Sequence, residues 1–220
     1  ARDAAFVAAF CRARGVPLHR FSAPEEGVVP PEGAGEAWAR QLRYGFFERL
    51  CRERGAKLAT AHTKNDQAET LLLHLARGCG PAGAAGIPAV RGAVIRPFLT
   101  VSRRQTEAYC RALGQPWVVD ETNAADNYAR NRVRRYALPA LETVNPQAVE
   151  ALARFCDRMA LVDGYLAAQA DTLLETAKQG SGWRLSTLNE AHPAVRDEAF
   201  ARNKNLVQVV LPETVTSIGA

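Results

Sequence analysis

The segment 57–77 constrains the fold more than any other part of the chain. Lys57-Leu58-Ala59-Thr60-Ala61-His62 is an apolar run of strand length. A polar turn follows, and from about Asp66 to Arg77 apolar residues return at helical spacing. The same alternation stands upstream. Over Asp3 to Arg14, Phe6, Val7, Phe10 and Cys11 share one helical stripe, Gly15 stands where a helix ends, and Val16 to Phe21 reads as a strand. A loop rich in proline and glycine fills 23–35. From Glu36 to Arg54, Trp38, Leu42, Phe46, Leu50 and Cys51 repeat on one amphipathic face, and Gly55 stops the helix. Helices and strands alternating at such short spacing predict an α/β fold, a parallel sheet with crossover helices.

Further on, five glycines between Gly78 and Gly92 mark a loop, and Val94-Ile95-Arg96-Pro97 follows. Ser102 is an expected N-cap for a helix to about Leu113. Trp117-Val118-Val119-Asp120 reads as extended, Glu121 to Asp126 as a polar turn, and Arg130 to Arg135 as a strongly basic segment. Pro139 and Pro146 frame a break. Residues 147–177 then read as one or two helices carrying Leu152, Phe155, Met159, Leu166, Leu173 and Leu174, the start of a small helical domain.

With 47% hydrophobic and 23% charged residues, the chain is ordinary globular material rather than a disordered one. No apolar run is long enough to cross a bilayer and none resembles a signal peptide, so no membrane partner is expected. Charge is uneven. Residues 1–135 carry 21 Lys and Arg against 13 Asp and Glu, and residues 136–220 carry 7 against 10. The basic first part suits a phosphate-bearing partner, although 24 of the 28 basic residues are arginine, which codon composition alone can produce. The five cysteines form no C-x-x-C pair, which argues against a disulfide framework or a zinc site and for a reducing compartment, the cytoplasm.

Three groups of residues carry chemistry. The first is Ala61 to Thr70, at the carboxyl end of an expected parallel strand, where open α/β sheets bind ligands. Asp66 and Glu69 are three apart and share a helical face, a pair suited to Mg²⁺ or an ammonium group. The competing reading is an N-capping Asp66 with Glu69 in a capping box. A zinc site at His62, Asp66 and Glu69 lacks further ligands at suitable spacing. The second runs from Asp120-Glu121-Thr122-Asn123 to Arg130-Asn131-Arg132-Val133-Arg134-Arg135. Arg130 and Arg134 share a face, and forked guanidiniums suit phosphate or carboxylate ligands, while a solvated basic helix paired to Glu142 accounts for them equally. The third is Ala39-Arg40-Gln41-Leu42-Arg43-Tyr44, where Arg43 has reach to a phosphate.

In order, the motifs are A-R-x-x-R-Y, A-H-x-x-x-D-Q-A-E-T, R-G-C-G-P-A-G, I-R-P-F-L, D-E-T-N-A-A-D-N-Y-A-R-N-R-V-R and L-P-x-L. From about residue 3 to 195 the chain resembles the tRNA(Ile)-lysidine synthetases of the PP-loop ATP pyrophosphatase superfamily. The resemblance implies a partial adenine-nucleotide α-hydrolase-like (PP-loop) domain over 1–140 and a helical substrate-binding domain over 145–196. It implies ATP with Mg²⁺, free L-lysine and tRNA(Ile) as the molecules handled, and a homodimer among the expected assemblies. In this reaction ATP adenylates the C2 carbonyl oxygen of a wobble cytidine, and the ε-amine of lysine then displaces AMP. By resemblance Asp66, Glu69 and Arg130 are catalytic and bind lysine, and Arg43, His62 and Arg96 lie near ATP. Arg132, Arg134 and Arg135 then remain for tRNA phosphates, and no residue is assigned to a metal.

The chain departs from the family at several places. No S-G-G-x-D-S phosphate loop occurs, and the chain begins at Ala1 rather than methionine, so a fragment that binds ATP poorly and is inactive alone is expected. Thr63 stands where the family usually has His, and Asn65 where it usually has Asp. The C-terminal tRNA-binding domain of longer members is missing. The tail, 197–220, resembles one unit of bacterial surface leucine-rich repeats. A non-enzymatic tRNA-binding remnant remains an alternative. Another PP-loop tRNA-modifying enzyme, one that thiolates, would want the absent C-x-x-C.

Overall fold

A computed structural model describes residues 2–118, 129–179 and 182–202. By internal contacts the chain divides into two units, Ala1–Leu73 with Ile87–Ala153, and His74–Gly86 with Arg154–Ala220. The second boundary falls at Ala153, beyond the expected break at 140–145.

In the first unit, α1 (Arg2–Arg14) and α2 (Glu36–Arg54) form where apolar spacing predicts. Gly55 closes α2 with φ 58°, the left-handed region that a side chain disfavours, and its N–H bonds back to Arg52 and Cys51 carbonyls. Phe46 of α2 packs its ring 5.3 Å from Phe21. The stretch 16–21 is not a strand, contrary to the sequence expectation. Among the described residues no strand pairs with it, and extended backbone counts as strand only when a neighbour takes its hydrogen bonds.

The sheet has the order β1-β3-β2, with β1 (Leu58–Ala59), β2 (Val90–Arg91) and β3 (Val94–Ile95). β1 and β3 are parallel, as the alternation predicts, with Leu58 opposite Val94 and Ala59 opposite Ile95. β2 is antiparallel to β3. Gly92, at φ 59°, supplies the positive φ of its tight turn. Each strand is only two residues long, so the predicted strand 57–62 is mostly unpaired backbone.

Between β1 and β3 the chain passes through α3 (Lys64–Ala76) and α4 (Pro81–Ala84). Ala68 of α3 packs with Leu138 and Val149, flanked by Leu72 and Leu152, and this is the core beneath the site. The helix α5 (Arg103–Ala112) begins at Ser102 in a reciprocal capping box: Gln105 N–H donates to Ser102 Oγ, and Ser102 N–H donates to Gln105 Oε1 at 2.8 Å. Ser102→Ala is expected to cost about 1 kcal/mol of stability, read from the midpoint of urea unfolding; an unchanged midpoint would show the box to be dispensable.

The basic segment is helical in three pieces: α6 (Ala129–Arg132), a π-helical turn (Val133–Ala137) and α7 (Leu138–Val144). The widening has a local cause. Pro139 has no N–H to return to the Arg135 carbonyl and its ring crowds that turn, so Leu138 N–H reaches back five residues to Val133. Asp120, Asn123 and the turn around them lie outside the described residues, as do Val119 and residues 203–220.

One 30-residue helix, α8 (Ala148–Ala177), runs where one or two were expected. The second unit continues with a two-stranded antiparallel pair, β4 (Lys178–Gln179) and β5 (Gly182–Trp183), then α9 (Leu185–Glu190) and α10 (Pro193–Arg202). Its core includes Cys156, Ala170 and Leu188. Burial, then the charge of Asp157, pushes the Cys156 thiol up to about 11, so it packs as an inert hydrophobe. Residues 197–202 end α10 as helix, and the rest of the repeat-like tail, 203–220, lies outside the described residues. Among the described residues no helix is long and apolar enough to cross a membrane.

Candidate active site

The carboxyl ends of β1 and β3 lie side by side: Thr60 N–H extends their ladder to Ile95 O. His62 follows Thr60 by two residues and Arg96 follows Ile95 by one, and α3 starts immediately after His62 and Thr63. Thr60 Oγ1 and His62 Nδ1 are 2.8 Å apart. Burial pushes the His62 imidazole below its ordinary value; Asp66 opposes this, and the charges of Arg96, Arg130 and Arg40 add to the lowering. His62 is therefore neutral at pH 7.

Asp66 and Glu69 do share a face of α3, and both carboxylates meet guanidiniums. Arg130 bridges them, with NH2 3.0 Å from Asp66 Oδ1 and Nε 2.9 Å from Glu69 Oε2. Arg134 grips Glu69 as a fork, Nε to Oε1 at 2.7 Å and NH2 to Oε2 at 2.9 Å. Glu69 is 1% exposed. Arg134, expected with Arg132 and Arg135 to meet tRNA phosphates, bonds Glu69 through two of its nitrogens in this structure. Four residues separate Arg130 from Arg134, so both arginines lie above the same acid. Arg132 and Arg135 are exposed, and the Arg135 guanidinium lies 5.5 Å from the Tyr136 ring.

The capping reading puts Asp66 at the N-cap with Glu69 in the box, whereas α3 starts at Lys64 and Thr63 stands just before it. Asp66 sits in the first turn, where its Oδ2 accepts both the Thr63 N–H at 2.7 Å and the Thr63 hydroxyl at 2.8 Å. Glu69 takes no part in a cap. Burial pushes Asp66 up, but the two Thr63 hydrogen bonds and the Arg130 charge outweigh it and hold its carboxyl below the usual carboxylate range. A lowered folded-state value means the stabilisation is complete above the unfolded carboxylate's range and fades as pH falls through the lowered value. Thr63→Val is expected to move the acid-unfolding midpoint to higher pH, followed by far-UV circular dichroism; an unmoved midpoint would refute this role of the hydroxyl.

The departures from the family pattern at Thr63 and Asn65 both have local uses. Thr63 holds Asp66, and Asn65 Oδ1 accepts the Arg103 N–H at the start of α5 at 2.8 Å. Gln67 of the same motif is structural: its amide exchanges two hydrogen bonds with the backbone of Ile87, at 2.6 and 3.2 Å.

Arg96 is 8% exposed. Its NH1 donates to Pro88 O at 2.6 Å, while its Nε is buried with no hydrogen-bond partner. A buried guanidinium donor left open is a natural anion contact. Arg43 is exposed on α2. The arginine of that helix whose charge acts on His62 is Arg40, stacked 4.9 Å from the Tyr44 ring. Sequence reading gave Arg40 no role and did not pair Thr63 with Asp66 or Arg134 with Glu69; the signal for Arg40 was the A-R-x-x-R-Y motif.

Among the described residues no three His, Cys, Asp or Glu side chains come together, and the Asp66–Glu69 pair is already neutralised by arginines.

The chain is similar to several curated proteins named tRNA(Ile)-lysidine synthase. One from Salinispora tropica is 45% identical over 204 residues, covering 89% of this chain and 60% of the relative. One from Thermus thermophilus is 39% identical over 204 residues, covering 91% and 40%. One from Symbiobacterium thermophilum is 39% identical over 199 residues, covering 88% and 40%. The chain thus spans about two fifths to three fifths of the length of these relatives. The PP-loop domain family matches residues 1–141, the stretch that holds the parallel strands, α3 and the arginines above it. With that match over well more than half its length, and with its charged cluster at the carboxyl end of a parallel strand, the chain belongs to the PP-loop domain family.

Proposed function

We propose that the chain carries the catalytic site of a tRNA(Ile)-lysidine synthase. The observation that carries the reading is Arg130 bridging Asp66 and Glu69 where β1 gives way to α3. Two carboxylate oxygens that accept a guanidinium also suit an ammonium, and a guanidinium freed from them suits a carboxylate. Free L-lysine supplies both groups. ATP adenylates the C2 carbonyl oxygen of the wobble cytidine and releases pyrophosphate. The free-base ε-amine of lysine then attacks C2, and the C–O bond to AMP breaks. Asp66, Glu69 and Arg130 bind and orient lysine. His62, neutral, and Arg96, with its open Nε, face the nucleotide, and Arg43 is assigned there by resemblance alone. Mg²⁺ enters with ATP as part of the substrate. The reaction belongs to the cytoplasm, where five free thiols stay reduced.

The test is transfer of radiolabelled lysine to a tRNA(Ile) transcript by the full-length protein. ATP-dependent incorporation is expected, and its absence with intact, folded protein would refute the reading. For tRNA itself, Arg132 and Arg135 are the exposed members of the basic cluster. Reversing either charge is expected to weaken binding across tRNA sequences and reduce the salt slope by about one unit. Unchanged affinity and slope would assign the tRNA surface elsewhere.

A further inference from the structure

We infer that Thr63 and Arg134 are positioning residues that decide which oxygen each acidic side chain presents to the ligand. The inference rests on the lysine-binding reading above. Asp66 Oδ2 is taken from behind by the Thr63 N–H and hydroxyl, which leaves Oδ1 forward. Glu69 Oε1 is taken by Arg134 Nε, and the second tooth of the same fork steadies Oε2. Asp66 Oδ1 and Glu69 Oε2 then face a common point, which Arg130 occupies in this structure, with Arg134 Nη2 at its edge, 2.9 Å from Glu69 Oε2 and 3.9 Å from Asp66 Oδ1.

Charge counting gives the consequence. The two acids and two arginines sum to zero. When Arg130 turns to a ligand carboxylate, Arg134 still offsets Glu69, and these three side chains, Asp66, Glu69 and Arg134, keep one net negative charge. That matches one ammonium. Without Arg134, both acids compete for Arg130, which is drawn fully onto Glu69 and withheld from the ligand. Without the Thr63 hydroxyl, one of the two bonds that orient Asp66 is gone.

The experiment compares Thr63→Val, Thr63→Ser, Arg134→Met and wild type in the full-length protein. Thr63→Val and Arg134→Met are expected to raise KM for lysine about fivefold and about tenfold or more, with KM for ATP within about twofold. Thr63→Ser restores the wild-type value. Equal rises in both KM values would mean a merely structural role and overturn the inference, as would an unchanged lysine KM. Failure of the lysidine reading looks different: the wild type itself would transfer no lysine. Positioning is then read from the ¹⁵N signal of Arg130 Nε–H, which must shift in Thr63→Val and Arg134→Met and return in Thr63→Ser. An unmoved signal overturns the inference whatever the reaction is.

Discussion

Glu69→Ala is expected to lower the free energy of unfolding by about 3 kcal/mol, the low end of what breaking a buried ion pair costs. Glu69 is effectively sealed from water, and its carboxylate accepts three hydrogen bonds from two arginines. Removing it takes both close hydrogen bonds from the Arg134 fork and leaves Arg130 with Asp66 as its carboxylate partner. The low end applies because the arginines are partly exposed, 37% for Arg130 and 21% for Arg134, and regain some hydration. The nearby Leu71, also fully buried, gives a scale: Leu71→Ala costs about 3 kcal/mol, lost apolar burial plus the cavity left behind. Glu69→Gln keeps the volume and one acceptor and is expected to cost less than Glu69→Ala. Urea unfolding with an unchanged m-value measures these losses. A loss under about 1 kcal/mol for Glu69→Ala would show that the pairs behave as surface ion pairs.

Arg130→Ala is expected to cut lysine transfer by roughly thirtyfold or more while leaving stability nearly intact. Losing one partner of a desolvated, hydrogen-bonded charge pair in a binding site costs about 2–5 kcal/mol, and about 1.4 kcal/mol is a factor of ten in rate. Stability changes little, by about 1 kcal/mol at most, because Arg134 remains on Glu69 and Thr63 on Asp66. Asp66→Ala loses transfer to a similar extent. Arg130 thus meets the ligand directly, whereas Arg134, four residues on, acts on it through Glu69. Radiolabelled lysine incorporation into tRNA(Ile) by the full-length protein measures the first effect, and a wild-type rate in Arg130→Ala rules the assignment out.

What could be read from the sequence was local. Apolar spacing located α1, α2 and α3 to within two residues at each end, because a helix satisfies its own backbone and needs only one face buried. The serine cap of α5 was legible because the capping box lies within four residues. The shared face of Asp66 and Glu69 followed from helical geometry, and the ordered motifs were enough to suggest the family. Strands were a poorer guide. The stretch 16–21 has strand-like residues, but a strand exists only with a partner, and local pattern does not name one. The site was decided only by tertiary structure. The arginines that complete it stand 61 and 65 residues from Glu69, and no local rule pairs residues at such distance. Arg134 looked like a surface cation by composition. It became the partner of a buried acid because the core of Ala68, Leu138 and Val149 carries the basic segment onto α3, where a sealed carboxylate must find a counter-charge.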